Sequence, residues 1–214
     1  MSKRGYFISL GLVLGLVLCL SACMSGKDDD EALLAAVYNY LSANPLAVVS
    51  PSGTWGDDEA KLPLEILTSN QSEAKMRESH PTLFVLADAG LLTISRKNIE
   101  TTNVFGKAEK LPGLHIELTE EGAKWYQPES GMLRFAKEKT DAILEKREIS
   151  PEQLQVKVRL KLLDIAPWAS KPEIQAAFPR LAEIMRQDSI EYSLTYDGKA
   201  WQVNASGASG DLTQ

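Results

Sequence analysis

Two strings, LADAGLLTIS at residues 86–95 and IELTEEGAKWY at residues 116–126, decide how the middle of this chain folds. Around the first, Leu83, Phe84, Leu86 and Ala87 recur at helical spacing and make one apolar face. Ser79, with Pro81 two residues on, supplies a cap and an early helical position, because proline lacks an amide that the first turn leaves unpaired anyway. Gly90 after Ala89 is a natural stop. Residues 91–95 then alternate as a strand does. In the second string, Ile116 and Leu118 share one face of a strand with Leu114, and His115 and Glu117 fall on the polar phase. Thr119 caps a helix expected over residues 120–126. Residues 96–113, with Asn98, Asn103, Gly106 and Pro112, read as a polar excursion between the two strands.

Moving upstream, residues 72–78 are polar and helix-prone, and residues 62–67 read as a short apolar helix or turn. Residues 48–61 are loop-like, with Pro51, Gly53 and Gly56. Trp55 is expected to pack that loop onto the core. Asp57, Asp58 and Glu59 are expected to be solvated loop acids, the alternative being a hard-cation site. Leu33, Leu34, Val37, Tyr40 and Leu41 predict a core-facing helix over residues 32–41 that ends at Asn44-Pro45. Taken in order, three short helices, LADAGLLTIS, a long hairpin and IELTEEGAKWY resemble a winged helix spanning residues 32–127. The resemblance implies a shape and no activity. DNA-reading winged helices present Arg and Lys on the third helix, whereas residues 81–89 carry no basic residue and do carry Asp88.

Downstream, residues 128–131 form a turn-rich break. Residues 132–149 suit either helix or strand, and strands are the expectation because sheet-like sequence follows. Leu154, Val156, Val158, Leu160 and Leu162 alternate with Gln155, Lys157, Arg159 and Lys161, giving one apolar face and one wet, basic face. An amphipathic helix then carries Ile174, Ala177, Phe178, Leu181 and Ile184, with Pro179 expected to kink or divide it. Ile190, Tyr192, Leu194 and Tyr196 alternate up to the hairpin turn Asp197-Gly198, and Trp201 and Val203 return. The expected fold class is therefore α+β, with a winged-helix-like helical half (residues 32–127) followed by a small antiparallel sheet with one packed helix (residues 132–204). The string DIAPWASKPEIQAAFP at residues 164–179 resembles a segment of uncharacterised secreted proteobacterial proteins, which brings no activity with it. The Gly/Ser-rich residues 205–214 are expected to be a disordered tail.

At the amino end, Lys3 and Arg4 precede an uncharged, mostly apolar run over residues 6–20, closed by Leu20-Ser21-Ala22-Cys23. A basic head, an apolar stretch of about 7–15 residues and small closing residues make a secretory signal, here residues 1–22. The closing string resembles the lipobox of bacterial lipoproteins. The resemblance implies cleavage before Cys23, a diacylglycerol on its thiol and an acyl chain on its new amino group. Two or more acyl chains hold a protein stably at a bilayer where one holds it marginally. Residues 23–31 then form the lipidated cysteine and an acidic tether. Met24 after the cysteine, rather than an aspartate, implies the outer membrane, facing the periplasm, over the inner one. Removing residues 1–22 takes away Lys3 and Arg4 and no acid. That leaves 21 basic against 29 acidic side chains, a net charge near −8. Such a body repels nucleic acid and anionic lipid, so nucleic acid is not an expected partner. Membrane lipid, through acylated Cys23, and an envelope protein are the expected ones.

The only cysteines are Cys19, discarded with the signal, and Cys23, so cysteine catalysis and thiolate metal sites are excluded from the mature body. The sequence contains no Gly-x-Ser-x-Gly, phosphate loop, His-Glu-x-x-His or dinucleotide fingerprint. The two histidines, His80 and His115, are expected in capping or exposed roles. No catalytic, metal or cofactor site is expected. Trp168, beside Pro167, is the candidate contact with a partner, the alternative being a ring folded back on the core. These readings point to a lipid-anchored envelope protein that binds or scaffolds. An envelope hydrolase acting on wall or glycan is the alternative, and a membrane-tethered regulator a more distant one.

Overall fold

A computed structural model describes residues 29–51, 61–68 and 71–204. The signal, Cys23, Trp55, Asp57, Asp58, Glu59 and residues 205–214 lie outside them. The chain is α+β, with three antiparallel sheets.

The alternating strand of the second half is β8 (Gln153–Leu163), whose Leu154, Val156, Val158 and Leu160 are buried. It is central in its sheet, pairing antiparallel with β7 (Lys137–Ser150) on one side and β9 (Ser189–Tyr196) on the other. β10 (Trp201–Val203) completes the order β10-β9-β8-β7. The turn from β9 to β10 falls at Asp197-Gly198, where Asp197 Oδ1 accepts the amides of Lys199 and Ala200, each at 2.8 Å. Backbone donation of this kind holds the Asp197 carboxyl below the usual carboxylate range.

Helix α1 (Asp30–Ala43) buries Leu33, Val37 and Leu41. It starts inside the expected tether and leans most heavily on β7 and β10. Tyr40 meets Tyr192 of β9 edge-on, with ring centroids 5.7 Å apart, and Lys146 of β7 reaches Asp30 at 2.6 Å. The first helix of the expected 32–127 unit thus packs on strands of the second half, and one continuous core holds residues from both. Pro179 divides the carboxyl-side helix as expected, giving α5 (Pro172–Ala177) and α6 (Pro179–Ile184), which add Ile174, Leu181 and Ile184 to that core.

The middle of the chain holds β2 (Leu64–Leu67), α2 (Glu73–Ser79), α3 (Pro81–Asp88), β3 (Leu92–Thr102), β4 (Ala108–Leu118) and the single turn α4 (Glu120–Ala123). Four sequence expectations change here. The helix expected over residues 120–126 is only the turn Glu120–Ala123, because Tyr126 is drawn into a strand pair with Leu133. Residues 64–67 are a strand rather than a helix or turn, because they pair with β4 from Leu64↔Ile116 to Leu67↔Gly113. Ser79 ends α2, and His80 stands at the N-terminal boundary of α3 without a capping hydrogen bond from its side chain; Ser72 caps α2 by accepting the Lys75 amide at 3.4 Å. The supposed polar excursion is mostly ladder, with β3 and β4 paired from Leu92↔Leu118 to Thr102↔Ala108.

The two strings that open the sequence reading clasp each other. Thr119 donates its amide to the Leu91 carbonyl at 3.0 Å and its hydroxyl to the Gly90 carbonyl at 2.7 Å, while accepting the Gly122 amide at 2.9 Å. The approach is so close that a Cβ on residue 122 would lie 2.0 Å from the Leu91 carbonyl oxygen, so only glycine fits.

A third sheet joins the halves. β1 (Val48–Val49), which follows α1, pairs with β6 (Met132–Arg134), and β6 pairs with β5 (Tyr126–Gln127). β6 and β7 are the strands expected within residues 132–149. Among the described residues no helix is long and apolar enough to cross a membrane.

Candidate functional site

The short third sheet and the near end of the β7–β8 pair enclose a cleft of about 400 Å³. Its floor follows from Phe135, which is fully buried between β6 and β7. The Phe135 amide donates to the Ala47 carbonyl at 2.8 Å, and its carbonyl accepts the Ala166 amide at 2.7 Å. With the backbone fixed from both sides, the neighbouring residues Arg134, Ala136 and Lys137 line the cleft.

Trp125 and Tyr126 form the aromatic wall. The one-turn helix α4 ends just before them, so Glu121 sits within reach of both Lys124 and Trp125. Its carboxylate pairs with the Lys124 ammonium and accepts the Trp125 indole N–H at 3.1 Å. The Lys124 ammonium, then the indole, hold the Glu121 carboxyl below its ordinary range, and Glu121 holds the Lys124 ammonium above its own. Tyr126 is tied down as well, its hydroxyl oxygen accepting the Leu62 amide at 2.9 Å.

Opposite stand Arg134, Lys137 and Asp164. Arg134 donates from Nε to the Ala136 carbonyl at 2.9 Å and from Nη2 to Glu138 at 2.5 Å. The Glu138 side chain is only 3% exposed and accepts the Ala47 amide at 2.6 Å with its other oxygen. Both of its oxygens are thereby satisfied, which a buried carboxylate needs. The guanidinium is thus held as a fixed fork. Lys137 and Asp164 pair at 2.8 Å because the register Lys137↔Leu163 brings the ends of β7 and β8 together. Asp164 is the one non-glycine among the described residues with a left-handed backbone, at φ 51°. Asp tolerates that region better than most residues, and such departures cluster at ligand clamps.

The cleft therefore presents an aromatic wall, three fixed cations and one rim carboxylate. Among the described residues that line it there is no serine, cysteine or histidine. Its cations are already partnered by acids, so the lining is close to neutral and rich in paired donors and acceptors. Chemically this suits holding a polar molecule against an aromatic surface.

The residues singled out from sequence fall elsewhere. Cys23 lies outside the described residues. Trp168, offered as a partner contact, is 4% exposed, in the 3₁₀ turn Pro167–Ser170, and belongs to the core. Pro167 starts the tight turn and aims the ring inward, so the folded-back alternative describes it. His80 stands at the N-terminal boundary of α3. His115 lies on the outer face of β4, 3.2 Å from Glu65 and 3.7 Å from Glu117. Glu65 also binds Lys97 at 2.9 Å, the main reason its carboxyl sits below the ordinary range. Among the described residues no group of three or more His, Cys, Asp or Glu is placed to hold a metal ion.

The cleft residues escaped the sequence reading because their partners are brought in by strand register. Only the adjacent aromatics of Lys124-Trp125-Tyr126, following a very short helix, gave a local signal. Comparison with family models, with curated proteins and with solved structures gives no match for this chain.

Proposed function

We propose that this protein is a lipid-anchored cell-envelope protein that works by binding. The observation that carries the reading is the string Leu20-Ser21-Ala22-Cys23 after a basic head and an uncharged run. Acylated Cys23 holds the body at a membrane, the outer one, facing the periplasm, with the acidic domain in water. A cleaved protein of net charge near −8, 21 basic against 29 acidic side chains, is kept soluble and off anionic surfaces by its own field, so attachment rests on the lipid. The cleft beside Trp125 and Arg134 is the ligand-holding feature, and an envelope protein is the class of partner. In this reading the winged-helix likeness of residues 32–127 is one of shape, contributed by α2, α3 and the β3–β4 hairpin, and it carries no nucleic-acid role.

Cys23→Ala removes the acceptor of the lipid. In cells, the wild-type protein is expected in the membrane fraction after carbonate washing and the variant in the soluble fraction. A variant that stays in washed membranes overturns the reading.

A further inference from the structure

The far end of the β3–β4 hairpin exposes two adjacent large apolar side chains, Val104 at 93% and Phe105 at 88%. The strands are eleven residues each and remain paired up to Thr102↔Ala108. At about 3.4 Å per residue the arm is roughly 35 Å long. Its base is packed through Leu92, Leu114 and Ile116, and Ile99 is the last buried residue of β3 before the tip. Beyond it the arm stands in solvent with an apolar point that nothing among the described residues covers.

The tip is built rather than loose. Asn103 donates its amide to the Lys107 carbonyl at 2.9 Å, and its carbonyl accepts the Gly106 amide at 2.9 Å. Its side-chain Oδ1 accepts the amides of Phe105 at 3.0 Å and Lys107 at 3.1 Å. A turn entering hydrocarbon must bring its own hydrogen-bond partners, since lipid tails offer none, and this turn does so for four of its amides. A turn meant for a protein pocket has no such need, because the partner can supply donors and acceptors.

Charge points the same way. The chain is acidic overall, yet residues 101–108, TTNVFGKA, contain no acid and one lysine, Lys107. The first charges below that window are Glu100 on β3 and Glu109 and Lys110 on β4; Glu100 and Lys110 pair at 2.9 Å, and Glu109 offsets Lys107, so the outer arm is close to neutral. An apolar point, hydroxyl and amide side chains around it and a single lysine able to reach back to headgroups make an interfacial profile.

We infer that Val104 and Phe105 dip into the interfacial layer of the bilayer, giving the protein a second, non-covalent foothold; this rests on the anchored reading above. The seven residues from Cys23 to the start of α1 at Asp30 span at most about 25 Å, which keeps the folded body close to the bilayer, and the part of the arm beyond Ile99 projects roughly 17 Å. Lipid and tip then act as two linked sites, each raising the local concentration of the other.

The test uses the full chain, made in cells with its lipid, purified in detergent and reconstituted into vesicles of phosphatidylethanolamine and phosphatidylglycerol. Phe105→Cys is labelled with an environment-sensitive fluorophore; Lys199→Cys, at the β9–β10 turn, is the control. The label at position 105 is expected to shift to the blue and to be quenched several-fold more than the control by brominated acyl chains. A label at 105 as water-exposed as at 199 overturns the inference. Protection at 105 in native envelopes but not in protein-free vesicles assigns the tip to a protein partner and overturns it too. Mass spectrometry separates the two readings. A single label means that Cys23 is acylated, so a negative result then falls on the tip alone. A second label on Cys23 overturns the anchor and, with it, this inference.

Discussion

β8 and β3 are strands of equal length, eleven residues, in long antiparallel pairs, and they serve opposite ends. β8 has a neighbour on each side and buries every second side chain from Leu154 to Leu160. β3 is an edge strand that leaves the core after a few residues; farther out Ile99 is buried over Gly113 of β4, apart from that core. The same backbone geometry gives stability in one place and reach in the other, and burial of one face is what separates them.

The largest contrast is one substitution made in both regions. Leu160→Ala, in β8, is expected to cost about 3 kcal/mol in urea denaturation. Leu111→Ala, on the exposed outer part of β4, is expected to cost under about 0.5 kcal/mol. Equal costs would end the distinction between a packed sheet and a free arm.

Gly122→Ala tests where the arm is fastened. A new Cβ meets a backbone carbonyl, which cannot rotate away as a side chain can, and a loss of about 2–3 kcal/mol is expected. Amide exchange at Thr119 should speed up more than exchange at Val158. Unchanged protection at Thr119 would mean that the clasp of Leu91 on Thr119 does not hold the hairpin.

Glu138→Ala sharpens the comparison at the junction of the sheets. It strands Arg134 and the Ala47 amide. Because the Arg134 side chain is 36% exposed and water can reach it, the expected loss is about 2 kcal/mol, below that of a fully buried pair. A loss well under 1 kcal/mol in denaturant melts would show that the pair contributes little there.

Asp197 gives the packed sheet a pH signature. Its folded-state carboxyl titrates below its unfolded value, so its contribution is complete above the unfolded carboxylate range, near pH 4, and fades as pH falls through the folded value. Asp197→Ala should therefore lower stability at neutral pH and flatten the acid limb of the stability curve. An acid limb as steep as that of the wild type would contradict this.

The smallest effect belongs to Tyr192. Its hydroxyl is buried without a hydrogen-bond partner among the described residues, and burial pushes its phenol well above the ordinary tyrosine range. Tyr192→Phe removes that unpaired group and should leave stability unchanged or raise it by up to about 1 kcal/mol. A clear destabilisation would reveal an acceptor for the hydroxyl.

What was legible in the sequence follows the same divide. β8, the Asp197-Gly198 hairpin and the break at Pro179 were readable because one buried face writes an alternation into the residues. Residues 96–113 read as an excursion because the outer arm buries neither face, and without burial no alternation is imposed. Leu64–Leu67 was misread because four residues are too few for a period, and the partner strand lies some fifty positions on. Ser79 looked like the cap of α3 because a serine is the usual choice, yet α2 runs through it. The cleft was invisible for a related reason. Lys137 and Asp164 meet only through register, and Arg134 meets Glu138 only because the chain bends at Phe135 and Ala136.

The docking of α1 on β10 has a consequence for how the molecule is made. Among the described elements the helix nearest the amino end completes its seat only when β10, the strand nearest the carboxyl end, joins β7. Until then α1 has β7 but lacks the other of its two main seats, and contacts so distant along the chain close slowly. An emerging polypeptide of this design stays unlocked, and threadable through a narrow passage, until its far end is free.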